Sequence, residues 1–288
     1  MTVVVLGSSG QLATHLKALL PGATFCGRDA LDLADPARVA AALEAMRPSL
    51  IVNAAAYTNV DKAESEPAVA WRVNSESVAA AALAAAALDV PFVHVSTDYV
   101  FDGRSAAEYA ENDAPNPVNV YGATKLAGEL AARALSKKSW ILRVSWMFGE
   151  HGANFLKTML RLAATRGELE VVADQRNRPT YAGDVAASIA KLVHPEVRQR
   201  LPFGTYHAVG GPVVSRHEFA ERIVEEAFAR GLIPKRVPVR PIAAADYPSP
   251  ARRPASSAMK PSPALEAATG VVMSWEAGLA TALARLVR

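Results

Sequence analysis

Tyr121 and Lys125 stand four residues apart in the run Tyr121-Gly122-Ala123-Thr124-Lys125, a spacing that places two side chains on one face of a helix. A phenol and an ammonium sharing a cleft suit proton transfer to a carbonyl oxygen. An unperturbed phenol titrates near pH ~10, and a neighbouring cation favours the phenolate, which brings the proton nearer to transferable at neutral pH. The pair occurs often by chance, so its position carries the weight. It lies downstream of Ser96-Thr97, at the carboxyl end of the apolar run Phe92-Val93-His94-Val95. That edge is where ligands bind in open parallel sheets.

A second group opens the chain, where Gly7-Ser8-Ser9-Gly10-Gln11-Leu12-Ala13 follows the apolar run Val3-Val4-Val5-Leu6. Glycines at a strand-to-helix turn let the backbone approach a pyrophosphate, whose charge meets the free N–H groups of the helix N-terminus. The spacing is GxxGxxA, with alanine in the close-packing third place. Arg28-Asp29 lies about 20 residues further on, where an acid can hold a ribose 2′-hydroxyl and an arginine can accept a 2′-phosphate. Arg28 favours NADPH, with NADH as the alternative.

These residues need a scaffold, and the first half of the chain supplies one in alternating signals. Strands are predicted at Val3–Leu6, Thr24–Cys26, Leu50–Val52, Phe92–Val95 and Trp140–Val144. Helices are predicted over about 10–20, from Asp35-Pro36, over about 66–88 and over about 118–135. Uninterrupted apolar strands alternating with helices predict a parallel sheet covered on both faces. Later come helices over about 155–164, 183–192, 217–229 and 276–286, with strands near Val171 and Tyr206-His207. The proline-rich stretch 234–263 reads as an irregular lobe. The alanine-rich helix is read as one that approaches the sheet closely.

Composition excludes several classes. The chain has 288 residues, 51% of them apolar and 20% charged, the make-up of a globular protein large enough to need no staple. The single Cys26 excludes an internal disulfide and any multi-cysteine metal site. A net charge of +3 from scattered basic residues gives no nucleic-acid surface. The longest apolar run, Val78 to Leu88, falls short of the ~20 residues a membrane span requires. With no basic leader, a cytoplasmic location and no membrane partner are expected. His151 and His207 have no Cys/His or HExxH companions, and no clustered carboxylates point to a metal, so no metal is expected. His94, on a buried strand, reads as a hydrogen-bonded core histidine.

Longer stretches resemble the extended short-chain dehydrogenases/reductases and, within them, the dTDP-4-dehydrorhamnose reductase family. They are Asn53 to Glu64, Ser96 to Gly103, Asn119 to Glu129, Arg143 to Gly149, Asn154-Phe155 to Leu162, Asp174-Gln175 to Pro179-Thr180, Tyr247-Pro248 and Arg253-Pro254. The resemblance covers nearly the whole chain. It implies a doubly wound parallel α/β sheet of the Rossmann type with a smaller, loop-rich C-terminal substrate lobe. Residues 1–145 plus about 181–210 would bind the dinucleotide; about 146–180 plus 211–288 would form the lobe. A possible homodimer and a dTDP-sugar substrate go with it.

The same resemblance assigns residues. Tyr121 would protonate the C4 carbonyl oxygen, Lys125 would hold the nicotinamide ribose and Tyr121, and Thr97 would orient the ketone. Gly7, Gly10, Gln11 and Leu12 would cradle the pyrophosphate of NADPH or NADH, with Arg28, Asp32, Leu33, Ala54, Ala55 and Tyr57 along the cofactor. Thr97, Asp98, Tyr99, Trp146, Asn154 and Arg253 would meet the substrate. Tyr99 and Trp146 have a plainer reading as core aromatics, and Arg253 as a residue that only covers the lobe. The chain departs from the family pattern at Ala13, at Asn177 where glycine is usual, and at Ser256 where asparagine is usual. Asn177 is expected to stand in for glycine by tolerating a left-handed backbone. Two alternatives share these stretches: another nucleotide-sugar epimerase or reductase, and a non-catalytic subunit similar to the methionine adenosyltransferase β-subunit. A dehydratase fits poorly, because Asp98 is followed by Tyr99 and not by glutamate.

Overall fold

The computed structural model describes residues 2–287. Its first half builds the predicted alternation. The strands are β1 (Val3–Leu6), β2 (Thr24–Cys26), β3 (Leu50–Asn53), β4 (Phe92–Thr97) and β5 (Ser139–Val144), interleaved with α1 (Gln11–Leu19), α2 (Pro36–Met46), α3 (Val60–Ser65), α4 (Pro67–Trp71), α5 (Ser77–Ala87) and α6 (Val120–Leu135). The second half has β6 (Met147–Phe148), α7 (Phe155–Thr165), β7 (Leu169–Val172), β8 (Arg176–Asn177), β9 (Thr180–Tyr181), α8 (Ala182–Lys191), α9 (Pro195–Arg198), β10 (Gly204–His207), β11 (Val214–Ser215), α10 (Arg216–Ala229), β12 (Val239–Ile242), α11 (Pro263–Thr269) and α12 (Trp275–Leu286).

Six strands form the main sheet in the order β10-β5-β4-β3-β1-β2, every pair parallel. The chain winds one way from β1 to β2 and the other way from β3 onward, so the crevice between β1 and β3 is the switch point at which such sheets bind ligands. This is the doubly wound parallel fold expected from the sequence. Alternate side chains serve alternate faces. Val3, Val5 and Val52 pack under α1 and α8 with Leu16, Val185 and Ile189. Val4, Leu6 and Ile51 pack with Val39 and Leu43 of α2 and with the alanines of α5.

A separate apolar core lies among α7, α10, α12 and β7, where Leu156, Phe219, Ile223 and Leu279 meet. The proline-rich stretch is more ordered than the sequence suggested. Val239–Ile242 pairs in parallel with Leu169–Val172 despite Pro241, a residue tolerated because this ribbon has only two strands and its edges are open. Helix α11 was not anticipated, although Ser262 precedes Pro263 at its first position and Gly270 ends it in a left-handed conformation. The predicted helix over 66–88 runs through a π-helical turn, Arg72–Glu76. Such turns re-aim a side chain. Here it is Asn74, whose amide accepts from the Tyr57 backbone N–H at 2.8 Å and donates to the Tyr57 carbonyl and to Thr124 Oγ1, each at 3.1 Å.

Helix α6 sits unusually close to its neighbours. A Cβ on Gly128 would lie 2.2 Å from the Asn74 carbonyl oxygen, and one on Gly122 would lie 2.1 Å from that of Tyr99. Glu129 and Arg143 tie the helix to β5 through a buried pair, Nη2 to Oε2 at 2.7 Å. Gly128→Ala is therefore expected to destabilise the protein by about 1–3 kcal/mol, because the obstructing atom is backbone and cannot rotate away. Urea unfolding should show a lower midpoint at unchanged slope.

Candidate active site

Gly7 leaves β1 with φ 104°, a conformation only glycine adopts without strain. Gly10 caps α1 with an extended backbone, and a Cβ there would enter open space. That space is a cleft of about 470 Å³ at the switch point of the sheet. Gly7, Gly10, Gln11, Leu12, Arg28, Asp32, Leu33, Ala54, Ala55, Tyr121 and Lys125 all border it. Arg28 faces the cleft while Asp29 is not part of its wall. Ser96 also borders it, and its Oγ is buried with no hydrogen-bond partner. A bare cradle at Gly10, an unsatisfied hydroxyl and a cation at the far end suit a phosphorylated dinucleotide.

Tyr57 departs from the expected arrangement. Its phenol turns away to donate to Glu66 Oε2 at 2.8 Å, and it does not border the cleft. Its backbone is held by the Asn74 amide.

Tyr121 and Lys125 both border the cleft, and Thr97, outside its wall, hydrogen-bonds Tyr121. Lys125 is buried and donates to the Val95 carbonyl at 2.7 Å, with His94 Nε2 at 3.4 Å. Burial draws its ammonium down to about 8, with Glu129 opposing the shift. His94 Nδ1 lies 3.2 Å from Asn53 Nδ2, so this core histidine is hydrogen-bonded within the sheet and also neighbours the lysine. Burial holds the Tyr121 phenol well above its usual range, and a hydrogen bond with Thr97 pulls the other way. The sequence had suggested a lowered phenol. Desolvation is the larger effect here, and it keeps the proton on oxygen.

Thr97 donates to Asp98 Oδ1 at 3.1 Å and accepts from the Tyr99 N–H at 3.2 Å. Tyr99 meets Tyr121 edge to face, ring centroids 5.7 Å apart. Trp146 is half-buried and holds φ 40°, a strained value for a bulky residue. Its ring carries the Arg216 guanidinium at 4.4 Å. Arg216 was not singled out from the sequence. It heads α10, is braced by Gln175 Oε1 at 3.1 Å, and reaches the Tyr99 phenol. A lone arginine at a helix start carries no motif, so nothing in the sequence marked it.

Three other expected substrate contacts are engaged within the protein. Asn154 caps α7, accepting from the Lys157 N–H and donating to the Gly149 and His151 carbonyls. Its amide also reaches the Gln11 side chain, Nδ2 to Oε1 at 3.4 Å. Arg253 forms an ion pair with Asp61, Nη2 to Oδ2 at 2.7 Å, and bonds Ser249. Asp98 is buried and points into the protein, not into the cleft. Asn177 has no left-handed backbone: it lies extended in β8, and its amide bonds Asp98.

His151 does acquire companions, brought from far along the chain. His15, Glu150 and His151 place ligand-type atoms within 4.8 Å of one another. Arg285 also binds Glu150, so a cation entering there would meet a guanidinium. His207 instead pairs its Nδ1 with the Lys260 carbonyl at 3.1 Å.

The family described as RmlD substrate binding domain matches residues 1–288. The chain belongs to this family. A dTDP-4-dehydrorhamnose reductase from Aggregatibacter actinomycetemcomitans is 42% identical over 266 residues, covering 89% of this chain and 90% of that protein. The crystal structure of a dTDP-4-dehydrorhamnose reductase from Clostridium acetobutylicum is 31% identical with a TM-score of 0.91, covering 100% of both chains. That of the Bacillus anthracis dTDP-4-dehydrorhamnose reductase in complex with NADP is 35% identical with a TM-score of 0.89, covering 99% of each.

Arg28→Ala should weaken NADPH binding on the order of tenfold or more while leaving NADH nearly unchanged, since a hydrogen bond to a charged group is worth about 1.5–3 kcal/mol. Fluorescence titration of both cofactors checks the difference.

Proposed function

We propose that this chain reduces the C4 ketone of dTDP-4-dehydro-6-deoxy-L-mannose (dTDP-4-dehydro-L-rhamnose) to dTDP-L-rhamnose with NADPH, as an oxidoreductase. The observation that carries this is the hydrogen bond between Thr97 and Tyr121, with Tyr121 bordering the same dinucleotide cleft as Lys125 and Arg28. NADPH bound in that cleft would supply the hydride. Tyr121 supplies the proton to the ketone oxygen. Burial keeps the proton on the phenol in the cofactor-free cleft, and the Lys125 ammonium bordering the same cleft favours its release as negative charge develops on the acceptor.

Lys125, fixed by the Val95 carbonyl, holds the cofactor ribose and keeps positive charge beside the reacting centre. Thr97 orients the ketone. Tyr99 and Trp146 wall the deoxysugar, and Arg216 on the Trp146 ring meets the diphosphate. No step is routed through a metal. In this reading residues 1–145 with about 181–210 hold the cofactor, and about 146–180 with 211–288 cover the sugar nucleotide. Among the described residues no helix is long and apolar enough to cross a membrane; a cytoplasmic homodimer belongs to the proposal.

Tyr121→Phe should lower kcat by about 10²–10⁴-fold, the usual worth of a general acid, with NADPH affinity within about twofold. Undiminished keto-sugar reduction would remove Tyr121 as proton donor, and a chain that reduces no keto-sugar would point to a binding subunit. The pH dependence has a definite sign. Lys125 is charged below about 8, so kcat/KM should fall as pH rises through that value.

A further inference from the structure

Asp98 follows Thr97 directly, yet its carboxylate enters the buried seam between the sheet and the second half of the chain. Oδ2 accepts from Asn177 Nδ2 at 2.7 Å and from Ser257 Oγ at 2.6 Å, and Asn177 Nδ2 also donates to Ser257 Oγ at 2.9 Å. Oδ1 accepts from Thr97 Oγ1 at 3.1 Å. Asp98, Asn177 and Ser257 are all at most 2% exposed. Asn177 lies in β8, and Ser257 follows the bridge between Arg176 and Ser256, so both donors come from the part of the chain proposed to cover the substrate.

The donor inventory decides what this cluster can do. The Ser257 hydroxyl spends its one proton on Oδ2, and the Asn177 amide spends its two on Oδ2 and Ser257. With Oδ2 already facing two donors, a proton taken up by Asp98 goes to Oδ1, the atom facing Thr97. The pair then has two states. With Asp98 ionised, the Thr97 O–H points at Oδ1 and offers only lone pairs toward Tyr121. With Asp98 protonated, Oδ1–H donates to Thr97 Oγ1 and the threonine proton turns to the ketone oxygen.

We infer that Asn177 and Ser257 are positioning residues, which act through Asp98 to set the direction of the Thr97 hydroxyl and so couple the substrate-covering lobe to the reacting oxygen. This rests on the reductase reading, in which Thr97 touches the ketone. Burial pushes the Asp98 carboxyl up to about 6 against the pull of Ser257, Thr97 and Asn177. The titratable groups facing it are Tyr99 on its own turn and Tyr121 on α6. On β8, Arg176 turns to Glu218, and just past it Arg178 turns to Glu108; the Ser257 segment presents only the neutral hydroxyl.

Two measurements test it. The Asp98 carboxyl, followed by carbon-13 NMR in the cofactor-free chain, should titrate near 6, and its midpoint should move up in Asn177→Ala and in Ser257→Ala, since each removes a donor to the charged form. The kcat profile for keto-sugar reduction should carry a limb near the same pH, highest on the acid side. That limb should move up with the midpoint in both variants, at NADPH KM within twofold, and vanish in Asp98→Asn, whose amide donates to Thr97 at every pH. Unmoved NMR midpoints in both variants, or a limb that persists in Asp98→Asn, overturn the coupling. The NMR readout needs no turnover, so absence of all reductase activity with midpoints shifted as expected refutes the reductase reading and not the hydrogen-bond device.

Discussion

The candidate site depends on how closely one helix can lie on its neighbours. Gly122 of α6 faces the carbonyl of Tyr99 with no room for a side chain, and Gly128 faces that of Asn74 in the same way. This contact places Tyr121 against Tyr99 and within reach of Thr97. It also lets Lys125 reach the Val95 carbonyl on the adjoining strand. A larger residue at either glycine would lift the helix and part the phenol from the threonine. The alanine-rich α5 serves the same end, since small side chains let α5 and α6 nest over one face of the sheet.

Close packing also removes water, and that governs the charges. Asp98, Lys125, Glu129 and Arg143 are all buried. Desolvation disfavours the charged form of each group, so acids shift up and bases down unless a partner compensates. Asp98 and Lys125 shift in those directions. Glu129 and Arg143 form a buried ion pair that fastens α6 to β5. Tyr121 shifts well above ordinary phenol behaviour because burial removes water from it. The same dry surroundings that raise its pKa strengthen any hydrogen bond it makes to a developing alkoxide.

The chain beyond β5 is tied back to the sheet edge. Through Asn177 and Ser257 it reaches back to the carboxylate beside Thr97, and through Gln11 the first turn of the dinucleotide site holds the Met147 carbonyl at 3.1 Å. Trp146, strained just after β5, carries Arg216 on its ring, and its backbone cost is borne by the surrounding packing.

Local regularity made much of this legible in the sequence. Apolar runs of strand length, glycines at the first turn and the four-residue spacing of Tyr121 and Lys125 depend on neighbours in the chain, so they determined the parallel sheet, its order of elements and the dinucleotide edge. The family stretches added the roles proposed for Thr97, Tyr121 and Lys125. Tertiary structure alone decided which polar side chains remain free for a ligand. Asn154, Arg253 and Tyr57 look available as residue types, but a helix cap, Asp61 and Glu66 occupy them. Arg216, Asn74, Ser257 and the pairing of His15 with Glu150 carry no local signal, because their partners lie tens of residues or more away in sequence. A hydrogen bond is satisfied by whatever the fold brings within about 3 Å, and that depends on packing between distant segments that no local pattern records.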